Sequence, residues 1–306
     1  MKQVTTAERV FLIGHILSMA FGLAGLLLVL PHPEFITSLP IIGQKAFAVS
    51  MVGGGVVYMI LGMLAVAIYA YRTLGVWHWL GFMLPALLIS LGSELLGTSS
   101  GFPFGHYHYL DGLGYKIAGL VPFTIPLSWF YLGFSAYLIA KAGLETRQLP
   151  QWVKTVGAIG FGSLLLTSWD FVLDPAMSQT QMPFWFWEQP GAFFGMPYQN
   201  FAGWMGTGVV FMTVATLLWQ VKPFTLPNKQ LGLPLAIYIS NFAFATVISI
   251  AAGIYIPVVL GIVLGLAPAV ALYLMAQGNP EERAIRSERN LISPKPVTVP
   301  AASVGK

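Results

Sequence analysis

Three carboxylic acids stand out by type and spacing. Glu94 falls about one turn inside the end of an apolar stretch, and Asp170 and Asp174 lie four residues apart in another. That spacing puts both aspartates on one face of a helix. Two like charges so close cannot both ionise freely, so at least one carboxyl is pushed to keep its proton. A carboxyl that is neutral near pH 7 is a general acid, and ionisable residues within apolar spans are by default functional. Asp174, with Pro175 after it, also suits the end of a helix and the start of a turn.

The other ionisable side chains read more plainly. Glu188 follows Trp185-Phe186-Trp187 and suits a solvated acid beside an interfacial aromatic belt. Asp111-Gly112 reads as a turn and Glu34 as a loop residue. His15 sits in an apolar span as a hydrogen-bonded packing residue. His78, between Trp77 and Trp79, belongs to a belt, and His32 to a loop. His106 and His108 alternate along an extended segment and share a face, but no Glu-x-x-His motif accompanies them, so a metal centre is disfavoured.

The chain has no cysteine, which removes thiolate nucleophiles, disulfides, Cys-held zinc and Cys-held iron–sulfur clusters. Neither dinucleotide nor phosphate-loop motifs occur, and the last two apolar spans carry no lysine for a Schiff base. No cofactor and no metal are expected. Gly53-Gly54-Gly55 and the pair Gly261 and Gly265 read as places where helices approach closely, which also leaves room for a thin, flat ligand.

What must position these groups is a bilayer-embedded bundle. Of 306 residues, 56% are hydrophobic and 8% charged, and mean hydropathy is +0.74. Soluble domains carry roughly a quarter charged residues. Apolar stretches near 9–30, 46–71, 74–97, 117–140, 152–173, 200–221, 231–252 and 255–276 approach the roughly 20 residues that cross a membrane. The first is too long for a signal peptide and ends in Pro31-His32-Pro33, so a retained helix is expected. Gly253 and Pro257 mark a turn between the last two.

Charge bias orients the bundle. Eight spans with an internal N-terminus put 13 of 15 basic residues on the cytoplasmic side, leaving Lys45 and Lys116 outside. A seven-span arrangement strands the whole C-terminal basic set. The fold class expected is therefore all-α: a polytopic bundle of about eight transmembrane helices over 1–276, both termini cytoplasmic. A cytoplasmic tail over 277–306 follows, with a short basic surface helix over 281–289 and a proline-containing disordered end over 293–306. The net charge of +4 reflects cytoplasmic loops and does not indicate nucleic acid. The same topology gathers Glu94, Asp170 and Asp174 toward the outer ends of their helices, where cationic partners are scarce.

Three blocks carry a family resemblance. The first is Glu94-Leu-Leu-Gly97, Gly101-Phe-Pro-Phe-Gly105-His-Tyr107-His-Tyr109, then Val121-Pro122 to Ile125-Pro126-x-x-Trp129. The second is Asp170-Phe-Val-Leu-Asp174-Pro175. The third runs from Trp185-Phe-Trp187 through Gly191-Ala-Phe-Phe-Gly195-Met-Pro197-Tyr-Gln-Asn200-Phe201-Ala-Gly203-Trp204. Together they resemble membrane-bound carotenoid hydratases, which add water to the terminal 1′,2′ double bond of an acyclic carotenoid end. The resemblance implies Glu94, Tyr107, Tyr109, Asp170, Asp174 and Asn200 as the polar site, and a substrate such as γ-carotene or lycopene. Phe193-Phe194 stand where such proteins often have an aromatic pair ending in tyrosine. It also implies the lipid bilayer as surroundings, in a plasma or internal photosynthetic membrane, and admits other enzymes of the carotenoid pathway as partners.

The expected chemistry is protonation of the alkene by a neutral carboxyl, Glu94 or one of Asp170 and Asp174. The tertiary cation is then captured by water that another carboxylate, with Asn200, positions. Faces of Trp129, Trp185, Trp187 and Trp204 would stabilise the cation, each by roughly 0.5–2 kcal/mol. A proton-initiated end-group cyclase begins with similar chemistry and is the near rival. A small-molecule transporter is the distant one, disfavoured because polar groups do not run through the full depth of the spans.

Overall fold

The structure is a computed structural model describing residues 2–179, 183–224 and 230–278, apart from the side chains of residues 2, 51 and 52. The chain divides into Met1–Ala276 and Gln277–Lys306. The surface helix expected over 281–289 and the tail over 293–306 lie outside the described residues.

Helices dominate, because a chain in hydrocarbon must satisfy its backbone hydrogen bonds within each segment. In order they are α1 (Lys2–Ala24), α2 (Pro33–Ser38), α3 (Ile41–Ser100), α4 (Thr124–Glu145), α5 (Gln151–Gln179), α6 (Tyr198–Val221), α7 (Gly232–Ala251), α8 (Tyr255–Gly261) and α9 (Ala267–Gln277). Single π-helical turns, Gly25–Val29 and Ile262–Leu266, extend α1 and join α8 to α9. Among the described residues, six helical stretches are long and apolar enough to cross a membrane. The protein is an all-α membrane helix bundle.

The expected helix boundaries hold with three corrections. Spans 46–71 and 74–97 join in α3, broken only at Gly75, whose φ of +82° and ψ of 171° no helix contains; glycine alone adopts this cheaply. The span expected from residue 117 starts at Thr124, because Lys116–Ile117 (β2) folds back on Val121–Pro122 (β3). Finally, Pro175 does not end its helix. It sits inside α5, which runs on to Gln179; the ring forfeits one backbone bond but leaves Asp170 and Asp174 on one continuous helical face.

The core is centred on α4, nearly all of whose residues are buried, and α3, α5 and α7 pack around it. The apolar stretch of α1, by contrast, is only 11% buried. His78 is not a belt residue: it is 7% exposed, with Nδ1 at 2.8 Å from the Leu74 carbonyl and Nε2 at 2.6 Å from that of Lys222, and it ties α3 to the end of α6.

At one end of the bundle, Tyr107–Tyr109 (β1) pairs antiparallel with Trp185–Trp187 (β4). The register sets Tyr107 opposite Trp187, His108 opposite Phe186 and Tyr109 opposite Trp185. Alternation along each strand turns Tyr107, Tyr109 and Trp187 inward and leaves His108 and Phe186 exposed.

Candidate active site

Local sequence explains how the chain returns over Glu94. Gly101, at φ +78°, caps α3 in the left-handed conformation with its N–H on the Gly97 carbonyl at 2.8 Å, a glycine-terminated helix end. The reversal brings Phe104 and Tyr107 back onto the helix. Gly97, one turn beyond Glu94, makes room for them: a Cβ there would lie 2.7 Å from Phe104 and 3.1 Å from Tyr107.

Glu94, 3% exposed, accepts three hydrogen bonds. Tyr107 and Tyr109 both donate their hydroxyls to Oε2, the latter at 2.9 Å, and Trp129 donates Nε1–H to Oε1 at 2.9 Å. Burial first, and the adjacent carboxylate second, push both phenols well above the ordinary tyrosine range. Tyr107 and Tyr109 thus remain donors at any physiological pH.

Asp170 and Asp174 are 1% and 2% exposed. Asn200, at the start of α6, bridges them: its Nδ2 lies 2.8 Å from Oδ2 of each. Asp174 accepts two further bonds on Oδ1, from Trp185 Nε1 at 2.7 Å and Trp187 Nε1 at 3.0 Å. Among the described residues Asn200 is the one hydrogen-bond donor to Asp170. No lysine or arginine among them pairs with Glu94, Asp170 or Asp174; Arg72, for one, pairs instead with Glu8 at 2.7 Å.

All three carboxyl groups, both tyrosines and Asn200 face one narrow cavity. Trp185, Trp187 and Trp204 line it, and so do Trp169, Tyr58 and Ser128, which sequence reasoning did not single out. Periodicity gives no sign of these three, since each lies in an apolar helix. Trp129 stands one layer back, stacked on Trp204 with ring centroids 4.0 Å apart and planes 16° from parallel. Two tryptophans expected to offer ring faces, Trp185 and Trp187, therefore also spend their N–H groups on a carboxylate.

His106 and His108 point outward, and His108 lies 3.9 Å from Glu188 on the exposed side of β1 and β4. Among the described residues no three His, Asp or Glu side chains converge as metal ligands. The arrangement suits acid–base chemistry on an apolar guest: buried carboxyl groups, fixed donors and aromatic walls.

Residues 54–268 match the model of the carotenoid biosynthesis protein family, and the chain belongs to that family. Over 141 residues it is 37% identical to the bisanhydrobacterioruberin hydratase of Haloarcula japonica. That similarity covers 46% of this chain and 44% of the relative, so less than half of the relative's length is matched. No solved structure matches the chain.

Proposed function

We propose that the protein is a carotenoid hydratase, adding water across the terminal 1′,2′ double bond of an acyclic end group such as that of γ-carotene or lycopene. The carrying observation is the Asp170–Asn200–Asp174 cluster: a buried pair of carboxyl groups, with no lysine or arginine partner among the described residues, open to an apolar cavity. The family and the hydratase relative support the substrate class.

Hydrogen-bond donors divide the roles. Donors to a carboxyl favour its anion. Asp174 has three such contacts and Glu94 three, whereas Asp170 has one. Asp170 is accordingly the proton holder. Its O–H transfers the proton to the less substituted alkene carbon, and the π pair forms the new C–H bond. The tertiary cation left on C1′ faces the aromatic walls, with Trp204 backed by Trp129. Water attacks that carbon and loses a proton to Glu94 or Asp174, giving the tertiary alcohol, and that proton passes back to Asp170 to restore the acid for the next turnover. The sum is alkene plus water, with no electron acceptor, so the reaction is cofactor-independent.

In the membrane, the chain is read as eight spans, with Gly75 dividing α3 into two, and with both termini cytoplasmic by charge bias. The site then lies toward the outer face, where water reaches the end of a polyene held among the helices.

Incubating membranes with lycopene in ¹⁸O-labelled water without oxygen gas tests the reading. Expected is a product heavier by one labelled water. A product of unchanged mass indicates cyclisation, and a requirement for oxygen overturns hydration. A smaller effect tests the site: Gly97→Ala forces Tyr107 or Phe104 aside and lowers turnover about tenfold with normal membrane levels. Wild-type turnover in that variant would show that Tyr107 needs no fixed seat.

A further inference from the structure

A second buried polar cluster lies behind the cavity. His15 of α1 is 0% exposed and Asn241 of α7 is 1% exposed. Asn241 Nδ2 donates to His15 Nε2 at 2.9 Å. With Nε2 accepting, the ring proton sits on Nδ1, which donates to the Tyr58 carbonyl at 2.7 Å. The main-chain carbonyl of Asn241 accepts Trp169 Nε1–H at 3.2 Å. Space is made for the imidazole by Gly62, where a Cβ would lie 2.8 Å from the ring. Tyr58 and Trp169 both line the cavity, and Trp169 sets its edge against Trp204 at 5.9 Å and 68°. His15 lies outside the family-matched residues 54–268, on the helix least buried among the membrane-crossing ones.

We propose that His15 and Asn241 are positioning residues, through which α1 fixes Tyr58 and Trp169 in the wall that holds the reacting end of the polyene. The proposal rests on the hydratase reading for its kinetic test, and a binding test separates the two. Helix α1 is, on this basis, part of the site and more than an anchor.

The experiment compares His15→Leu, His15→Gln, Gly62→Ala and Trp169→Phe in purified protein. His15→Leu lowers kcat/KM about 10–100-fold, as displaced walls do. His15→Gln, whose amide supplies one donor and one acceptor, stays within a few-fold of wild type. Gly62→Ala keeps every hydrogen-bonding group yet crowds the imidazole, and it follows His15→Leu in direction. Combined with Trp169→Phe, His15→Leu adds little beyond the larger single loss, because both act on one contact. Lycopene's absorption band on binding shifts between wild type and His15→Leu. Wild-type kinetics and an unchanged band in His15→Leu overturn the proposal, as do losses that simply multiply. If His15→Leu does not accumulate, wild-type behaviour of Gly62→Ala overturns it instead. Absence of any hydrated product from the wild type defeats the hydratase reading, and the band shift alone then decides this one.

Discussion

Asp170→Asn eliminates hydration to below about a thousandth of the wild-type rate, within the 10²–10⁴-fold range that a positioned general acid supplies. The substitution is nearly isosteric, and its amide oxygen can still accept from Asn200 Nδ2, now 2.8 Å from the carboxyl. Packing around a residue 1% exposed is therefore preserved, and only the transferable proton disappears. Asp174→Asn keeps an oxygen for the two indole donors but turns its NH₂ toward Asn200 Nδ2; sparing the proton donor, it loses less, by about 10–100-fold. Product formed per membrane-bound protein, measured by mass analysis of extracted pigment, gives both numbers. If the two asparagine variants lose activity in the opposite order, Asp170 is not the acid.

Glu94→Gln has the second large effect, a loss of about 10²–10³-fold. Glu94 is surrounded by donors: two hydroxyls on one oxygen and one indole N–H on the other. A glutamine must present its NH₂ to one of those sides, setting donor against donor in a buried place, where an unmade bond costs about 1–3 kcal/mol. The charge that would accept water's proton is lost as well. Tyr107→Phe and Tyr109→Phe each remove one donor and leave the Glu94 carboxylate in place, so each costs about tenfold. Full hydration by Glu94→Gln, with unchanged protein in the membrane, would remove Glu94 from the mechanism.

The carboxylates were legible in the chain because burial and spacing are local properties. Glu94 inside an apolar run, and Asp170 four residues from Asp174, need no tertiary information. Their donors were not legible as donors. Trp185 and Trp187 have the composition of an interfacial belt, and no local pattern says that both indole N–H groups turn to Asp174. That depends on Tyr107–Tyr109 meeting Trp185–Trp187, a pairing between loops far apart in sequence. Pro175 misled for a related reason: its local signal says stop, but one forfeited backbone bond is tolerated inside a packed helix. His15 read correctly as a hydrogen-bonded packing residue, yet its partners, the Tyr58 main-chain carbonyl and Asn241, lie on two other helices, and no local pattern ties it to the cavity wall. His78 failed because a ring flanked by two tryptophans looks interfacial until its carbonyl partners are known.

The short antiparallel pairing of residues 107–109 with 185–187 constrains how such a chain can drift. Side chains along an extended strand alternate between two sides, so losing or gaining a single residue within a triplet turns that strand's phenols or indoles to the wrong side. A codon-length change in the first triplet would take both phenols from Glu94, and one in the second would take both indole donors from Asp174. Exchange of one side chain for another at these six positions disturbs a single contact, whereas a change of length disturbs the register of the pair.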